Sequence, residues 1–379
     1  MKVAVLGFGT VGQGVYGMLA HSKGLEPGPV LVRPGKDNEP WKVADMNAIV
    51  SDASVGAVAE VMGGVEPAFS YCAMALKAGK HVVTSNKALV AAKGIELAEI
   101  AREHGAAFLF SAACGGGVPF LHNLSLAVLS DRIESLGGIL NGTTNYMLDA
   151  MQRRSLDYGA ALSDAQKLGY AEADPSADID GLDIQRKAVI SANVSFDACL
   201  SEADVPVFGI RSILSCDIAA AESRSRICKM LAFGEKSASG AVSCYVEPCF
   251  VPSGELEAAV STNRNVISFV TELTGKESFY GQGTGRYPTA YNAVADCADI
   301  IGGVKEFYTS LVRDVPVDNN AASHPYYVRF SGSDEFLSSI EAEKCGEGVV
   351  TMPVPVAKMH AWAAKAKEAD PGVFIAGLI

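Results

Sequence analysis

The sequence Gly7-Phe8-Gly9-Thr10-Val11-Gly12 constrains the fold more than any other part of the chain. It follows a short apolar segment, residues 3–6, and opens a segment with helical apolar spacing, residues 12–20. A G-x-G-x-x-G turn between a buried strand and a helix allows a pyrophosphate to approach the backbone at the helix N-terminus. These six residues therefore predict a dinucleotide-binding turn, and the alternative is a glycine turn that binds nothing.

Alternation of strand-like and helix-like segments continues beyond this turn. We predict strands at 30–32, 57–61, 81–84 and 107–110, and helices at 68–78 and 92–104. Such alternation is typical of an α/β fold with a Rossmann-type, doubly wound parallel sheet.

The pattern changes in the middle of the chain. Helices are predicted at 119–129, 162–168, 183–194 and 289–301, and half-exposed strands at 243–246 and 265–270. From residue 325 onward the predicted order is strand, helix, strand, helix, strand. We therefore predict a dinucleotide-binding domain (1–134 plus 283–315), an α+β substrate and dimerisation domain (135–282) and a small α+β C-terminal appendage (320–379).

Composition excludes several classes of function. The net charge of −12 argues against a nucleic-acid partner and against binding to anionic membranes. No apolar segment approaches the roughly 20 residues of a membrane span. The nine cysteines are scattered without a CxxC pair, which favours reduced thiols. With the start MKVAVLGFG, these features predict a cytoplasmic protein.

The choice of dinucleotide depends on the residues after the second predicted strand. An acidic residue there would bind the ribose 2′-hydroxyl of NAD, whereas a basic residue accommodates the 2′-phosphate of NADP. Arg33 and Lys36 come first, and Asp37 and Glu39 lie further out. Because the basic residues come before the acidic ones, the segment favours NADP over NAD. The alternative is a solvated loop that contacts neither dinucleotide.

The acidic segment GYAEADPSADIDGLDIQRK, residues 169–187, contains five carboxylates and ends in a lysine. Asp183 and Lys187 are four residues apart and share one face if a helix begins near residue 180. A cation beside several anions suits a site that binds an ammonium group and moves a proton. The alternative is a solvated acidic loop with one surface ion pair.

Two further segments carry polar residues at predicted element ends. Lys87 follows the strand at 81–84, which places it near the carboxyl edge of the sheet, where ligands bind in such folds; the alternative is a surface lysine. Asn141-Gly142-Thr143-Thr144-Asn145 form a dense polar cluster ahead of Tyr146, and the alternative to a functional cluster is a helix cap with turn residues.

Seven segments together resemble homoserine dehydrogenase. They occur in the family's order and cover roughly residues 1–305: GFGTVG (7–12), VMGGVEPA (61–68), HVVTSNKALVA (81–91), GGGVP (115–119), GILNGTTNYML (138–148), LGYAEADPSADIDGLDIQRK (168–187) and GQGTGRYPTA (281–290). The NGTTNYML segment and the acidic segment are specific to the family, whereas the glycine turn is not.

The resemblance implies NAD(P)-dependent interconversion of L-homoserine and L-aspartate-4-semialdehyde by a homodimer joined through its substrate domains. It implies that Lys187 exchanges the proton and that Lys87 assists at cofactor and substrate. The residues implied to bind the substrate are Glu172, Asp183, Asp178 and Gly169, and those implied to line the cofactor are Phe8 to Val11, Gly63 and Gly285. Two alternatives stay open: a paralogue acting on another small amino-acid semialdehyde, and a non-catalytic NAD(P)-binding amino-acid sensor.

The chain departs from the family in two places. Ser111 stands where the family usually has a glutamate that helps to hold a monovalent cation, Na⁺ or K⁺. The matching carbonyls belong to Cys114, Gly116 and Val118, and the site is expected to be weaker, completed by water or lost.

The second departure is the tail. Residues 324–330 and 348–367 resemble parts of a regulatory ACT domain. The usual glycine-led turn is replaced by Ser331-Gly332-Ser333-Asp334-Glu335-Phe336. We therefore expect a shortened ACT-like module with little or no feedback by threonine.

Overall fold

The computed structural model describes residues 1–36, 38–311, 314–332 and 334–379, so Asp37 and Ser333 lie outside the described residues. The chain divides into two compact units. Unit 1 comprises Met1–Arg132, Asn193–Ser201 and Gly281–Asp314, and unit 2 comprises Ile133–Ala192, Glu202–Tyr280 and Val315–Ile379. The three-part division expected from the sequence stays a prediction.

The N-terminal part of unit 1 alternates strands with helices. Its elements are β1 (Lys2–Leu6), α1 (Thr10–Leu19), β2 (Glu26–Leu31), β3 (Lys42–Val43), α2 (Met46–Val50), β4 (Val55–Glu60), α3 (Ala68–Lys77), β5 (His81–Thr84), α4 (Lys87–Glu103), β6 (Phe108–Leu109) and α5 (Phe120–Ser130). The strands form a parallel sheet in the order β3-β2-β1-β4-β5-β6. The Rossmann-type prediction is confirmed, and the strand order reverses beside β1, the position at which such sheets bind ligands.

Helix α4 begins earlier than predicted. The sequence predicts a helix from residue 92, but the helix begins at Lys87. The side chain of Asn86 accepts a hydrogen bond from the Leu89 amide (3.2 Å) and so caps the helix five residues upstream of the prediction. Lys87 is thereby fixed at the first helical position, three residues after the last residue of β5.

Unit 2 contains most of the next elements. They are β7 (Ile133–Ile139), α6 (Gly142–Arg154), α7 (Tyr158–Lys167), α8 (Ser176–Ile179), α9 (Leu182–Ser195), α10 (Ser215–Glu222), β8 (Arg226–Lys236), β9 (Val242–Pro252), α11 (Leu256–Ala259), β10 (Arg264–Thr271) and β11 (Gly275–Gln282). Strands β7, β8 and β11 were not predicted. Strands β8 and β9 pair along their whole length. A buried hydrophobic cluster that includes Ile139, Leu231 and Val266 packs β7, β8 and β10 together.

The rest of the chain begins with α12 (Arg286–Ile301) of unit 1 and continues with the tail in unit 2. The tail contains β12 (Ser323–His324), β13 (Tyr326–Arg329), α13 (Glu335–Ser338), β14 (Ala342–Cys345), β15 (Gly348–Thr351), β16 (Val354–Pro355), α14 (Val356–Ala369) and β17 (Phe374–Leu378). The mixed sheet has the order β11-β10-β7-β8-β9-β17-β13-β15-β14. The strand–helix order predicted from residue 325 onward lacks two strands, β14 and the two-residue β16. The first three residues of β14 are exposed and carry no apolar alternation.

One buried carboxylate joins the tail to β9. Glu247 is completely buried; its oxygens lie 2.7 Å from His324 Nε2 and 2.7 Å from His360 Nε2, and Tyr326 donates to it at 3.1 Å. Burial raises the pKa of Glu247, but the bonds from the two imidazoles outweigh burial and leave the pKa below its ordinary value. Strand β17 also pairs in parallel with β9, so the tail extends the sheet of unit 2.

None of the helices in the described ranges combines the length and the apolar character that crossing a membrane would require.

Candidate active site

The dinucleotide turn lies between β1 and α1, as the sequence predicts. Gly9 precedes the helix, Thr10 and Val11 open it, and no side chain caps its N-terminus. A Cβ at Gly12 would lie 2.2 Å from the Gly7 carbonyl oxygen, so only glycine allows the helix to pack this closely on the end of the strand. First-turn amides without a side-chain cap suit the pyrophosphate of a dinucleotide.

A cleft of about 870 Å³ adjoins this turn in unit 1. Gly7, Phe8, Gly9 and Gly63, all predicted cofactor contacts, line it. Its charged lining includes Arg33, Lys36, Lys42 and Glu66. Lys42 pairs with Glu39 at 2.8 Å, whereas Arg33 and Lys36 are exposed and pair with no carboxylate among the described residues. The end of the cleft next to β2 is therefore cationic.

A buried carboxylate shapes the loop that carries Gly63. Glu60, at the end of β4, is completely buried and accepts hydrogen bonds from Thr84 Oγ1 (2.5 Å) and the Met62 amide (2.7 Å). Burial raises its pKa. Asn86 donates to the Gly64 carbonyl (2.6 Å), so the residue that caps α4 also fixes this loop. Sequence reasoning missed Glu60, although a carboxylate that ends an apolar strand was a usable signal.

Unit 2 contains the predicted catalytic lysine. Lys187 Nζ donates to Asp183 Oδ2 (2.6 Å) and to the Leu140 carbonyl oxygen (2.6 Å). Lys187 is 4% exposed and Asp183 5% exposed. The two residues lie on successive turns of α9, which is the spacing that the sequence predicted. Their burial excludes the alternative of a solvated surface ion pair.

Asn141 connects this pair to a second carboxylate. Its amide donates to Asp178 Oδ1 (2.7 Å) and to Asp183 Oδ2 (2.8 Å). Its side-chain oxygen accepts the Thr144 amide (2.9 Å), so the predicted helix cap is confirmed. Burial and the charge of Asp183 raise the pKa of Asp178. Sequence reasoning missed the second role of Asn141; the signal was an asparagine cap, whose amide remains available after the oxygen has capped the helix.

Two predicted substrate contacts lie outside this network. Gly169 ends α7 with a positive φ of 75°, and Glu172 follows in an exposed loop. The Glu172 carbonyl accepts a hydrogen bond from Gln166 (3.1 Å), but its carboxylate makes no contact with the Lys187 network within the described ranges. The structure thus brings together Asp178, Asp183 and Lys187, with Asn141 added.

The loop at residues 111–118 in unit 1 contains the carbonyls predicted to hold a cation. Asn292 Nδ2 donates to the carbonyl oxygens of Gly116 (2.6 Å) and Val118 (3.0 Å). The Ser111 amide donates to Asp296 Oδ2 (2.8 Å), and burial raises the pKa of Asp296 to about 8. Two of the three predicted carbonyl ligands, those of Gly116 and Val118, therefore accept hydrogen bonds from the Asn292 amide. These residues do not fit a monovalent cation.

Sequence reasoning missed Asn292 and Asp296. They are four residues apart on α12, and polar residues at that spacing in an apolar helix were a usable signal. Gly285, a predicted cofactor contact, precedes this helix with a φ of 125°.

A dinucleotide cleft on a Rossmann-type sheet in unit 1 and a buried lysine among carboxylates in unit 2 define an NAD(P)-dependent oxidoreductase. The family model for homoserine dehydrogenase matches residues 119–298, and the model for its NAD-binding domain matches residues 7–111. The chain belongs to the homoserine dehydrogenase family, whose members interconvert L-homoserine and L-aspartate-4-semialdehyde with a nicotinamide cofactor.

Similar proteins agree with this assignment. Homoserine dehydrogenase of Synechocystis is 39% identical over 318 residues, which are 80% of this chain and 73% of that protein. A crystal structure of a homoserine dehydrogenase from Thiobacillus denitrificans is 28% identical, covers 100% of this chain and 98% of its own, and has a TM-score of 0.89. A hyperthermophilic archaeal homoserine dehydrogenase in complex with NADPH is 23% identical, covers 80% of this chain and 98% of its own, and shares the fold with a TM-score of 0.67.

Proposed function

We propose that Lys187 exchanges the proton with the substrate oxygen in the homoserine dehydrogenase reaction of this chain. The observation that carries the proposal is the buried ion pair of Lys187 with Asp183, together with the bond from Lys187 to the Leu140 carbonyl. Two acceptors fix the direction of the ammonium group, which has three donors in all. A lysine held in this way is a positioned acid and not a flexible surface charge.

The chemistry requires such a group. The nicotinamide, when bound, supplies or accepts the hydride at the substrate carbon. Negative charge develops on the aldehyde oxygen during reduction, and an ammonium group stabilises that charge and donates the proton. In the direction of alcohol oxidation, Lys187 takes the proton back.

The substrate is an amino acid, so its ammonium group needs carboxylates. We propose that Asp183 and Asp178, held in place by the Asn141 amide, bind this ammonium group. Glu172, with Gly169 in the same exposed loop, is proposed as an additional contact. Lys87 at the start of α4 is proposed to assist at the cofactor and the substrate.

We also propose NADP as the preferred cofactor. Arg33 and Lys36 line the cleft after β2 and are the residue types that bind a 2′-phosphate. The archaeal relative's complex with NADPH is in line with this choice. The proposed contacts to the rest of the dinucleotide are Gly7 to Gly12, Gly63, Lys87 and Gly285.

A homodimer in the cytoplasm is the proposed working form. The sheet of unit 2 has a groove of about 320 Å³ over β7, β8 and β10 whose lining includes Leu136, Leu231 and Phe233. Apolar sheet faces of this kind suit a second copy of the chain. The nine cysteines are scattered without a CxxC pair, in keeping with a reducing compartment. Analytical ultracentrifugation tests the dimer.

The test of the lysine assignment is Lys187→Met. With L-homoserine and NADP⁺ at alkaline pH, we expect NADPH formation to fall by on the order of 10²- to 10⁴-fold. Lys167→Met, an exposed lysine at the end of α7, is the matched control and should keep the wild-type rate. Lys187→Arg retains the positive charge but cannot give up its proton, so it should fold and remain inactive. A Lys187→Arg enzyme with the wild-type rate would contradict the assignment.

A further inference from the structure

Asn292 contacts two of the three carbonyl groups that the family resemblance assigns to a monovalent cation in the loop at residues 111–118. Its side chain is 2% exposed and lies on α12. The amide nitrogen contacts two loop carbonyl oxygens, Gly116 at 2.6 Å and Val118 at 3.0 Å. Because an amide nitrogen has two hydrogens, one amide satisfies both carbonyls.

Backbone contacts with residues 282–283 hold this loop in its conformation. The Gly117 amide donates to the Gln282 carbonyl (3.1 Å), which holds one side of the loop. Gly116 has a φ of 58°, and a Cβ there would lie 2.2 Å from the Gly283 carbonyl oxygen. The backbone is therefore packed closely on residues 282–283, and the Gly116 and Val118 carbonyls face Asn292.

Charge balance points the same way. A bound monovalent cation is stabilised by an anionic ligand, and the family's glutamate is replaced here by Ser111, which is neutral and 2% exposed. A neutral donor paired with a neutral residue avoids a buried net charge, which is costly. The loop thus has a neutral serine in place of the family's glutamate and a neutral amide at its carbonyls, while the buried Asp296 carboxylate accepts the Ser111 amide (2.8 Å).

We propose that Asn292 replaces the monovalent cation in this chain, so that the loop at residues 111–118 is held without Na⁺ or K⁺. The proposal concerns the stability of unit 1 and goes beyond the chemistry assigned to Lys187. The proposal is tested by melting temperatures, whereas the role of Lys187 is tested by enzyme activity. The two tests are therefore independent of each other.

The first experiment uses the wild-type protein. Melting temperatures are measured in increasing NaCl, KCl and choline chloride at matched ionic strength. Because a ligand at concentration c that binds only the folded state stabilises it by RT ln(1 + c/Kd), a cation site would make the melting temperature rise with the logarithm of the cation concentration above its Kd. We expect the three salts to give the same melting temperature. A logarithmic rise of this kind in Na⁺ or K⁺ but not in choline would overturn the proposal, including the case in which Asp296 supplies the missing charge.

The second experiment restores the cation site. In the double variant Ser111→Glu with Asn292→Ala, the carbonyls lose their donor and the loop regains a carboxylate. We expect its melting temperature to rise by a few degrees with Na⁺ or K⁺ over choline. Asn123→Ala, which removes an amide bond to the Pro119 carbonyl (2.6 Å), is the matched control and should show no such rise. A folded double variant without a cation response would overturn the proposal, and if the double variant does not fold, the wild-type titration decides.

Discussion

Asn141 Nδ2 and Lys187 Nζ donate to the same atom, Oδ2 of Asp183, at 2.8 and 2.6 Å. Asn141 also caps α6, and Lys187 also bonds to the Leu140 carbonyl directly before it. The end of β7, the start of α6 and the first two turns of α9 are therefore joined at one carboxylate oxygen. These hydrogen bonds fix the direction of the Lys187 side chain. Single substitutions can remove some of the bonds and keep the others.

Asn141→Ser separates the two roles of Asn141. Serine caps helices well but cannot supply two amide donors to Asp178 and Asp183. We expect kcat/KM for L-homoserine to fall by on the order of 10²-fold, because misplaced carboxylates misorient the substrate. Asp157→Ala removes the cap of α7, which accepts the Ala160 amide, and should cost about 1 kcal/mol of stability with no loss of activity. An Asn141→Ser variant with wild-type kcat/KM would show that Asn141 is only a cap.

Arg33→Ala tests the cofactor preference. A charged hydrogen bond to a 2′-phosphate contributes about 1.5–3 kcal/mol, so KM for NADPH should rise by roughly 10- to 100-fold. KM for NADH should change little, because NADH lacks the phosphate. Lys23→Ala removes an exposed cation that does not line the cleft and serves as the control. Equal increases in both KM values would count against the 2′-phosphate role.

Lys229 predicts a pH dependence of stability. It is 1% exposed, donates to Asn145 Oδ1 (2.9 Å) and the Val260 carbonyl (2.5 Å), and burial lowers its pKa to about 8. Between pH 8 and its ordinary pKa of 10.5, the unfolded chain binds more protons at this group than the folded protein does. Its contribution to the free energy of unfolding therefore increases as the pH rises through this window.

Lys229→Met removes that contribution. Urea unfolding at pH 8 and at pH 10 should show the wild-type protein gaining stability relative to the variant, by up to about 1 kcal/mol per pH unit. Lys344→Met, in the exposed part of β14, is the control and should follow the wild-type protein. Parallel pH profiles for the wild-type protein and Lys229→Met would contradict the lowered pKa.

The tail predicts insensitivity to threonine. Asp334 caps α13 and accepts a hydrogen bond from Trp362 Nε1 (3.0 Å), and Phe336 stacks on the same indole at 5.9 Å. Asp334 and Phe336 are thus both held against Trp362 of α14. L-Threonine at low millimolar concentration should leave the initial rate unchanged, with L-valine as the control for general amino-acid effects. Saturable inhibition by threonine alone would refute the prediction.

Much of unit 1 could be predicted from the sequence, because its signals are local. Apolar strands alternating with helices predicted the parallel sheet, and the glycine turn predicted where a dinucleotide would bind. Strands β7 and β8 were missed because they pair with each other across about 100 residues, for example Ser135 with Glu235. Strand β14 was missed because its first three residues are exposed and carry no apolar alternation. The start of α4 was missed because a single capping bond from Asn86 determined it.

The same distinction applies to the site. The sequence by itself determined the residue types and the four-residue spacing of Asp183 and Lys187, since helical periodicity places them on one face. Only the tertiary structure decided that the pair is buried and bonded to Leu140, which is 47 residues away. It also brought Asn292 to Gly116 across 176 residues. The physical reason is that burial and the direction of a side chain depend on distant segments packed against it, which the local pattern does not contain.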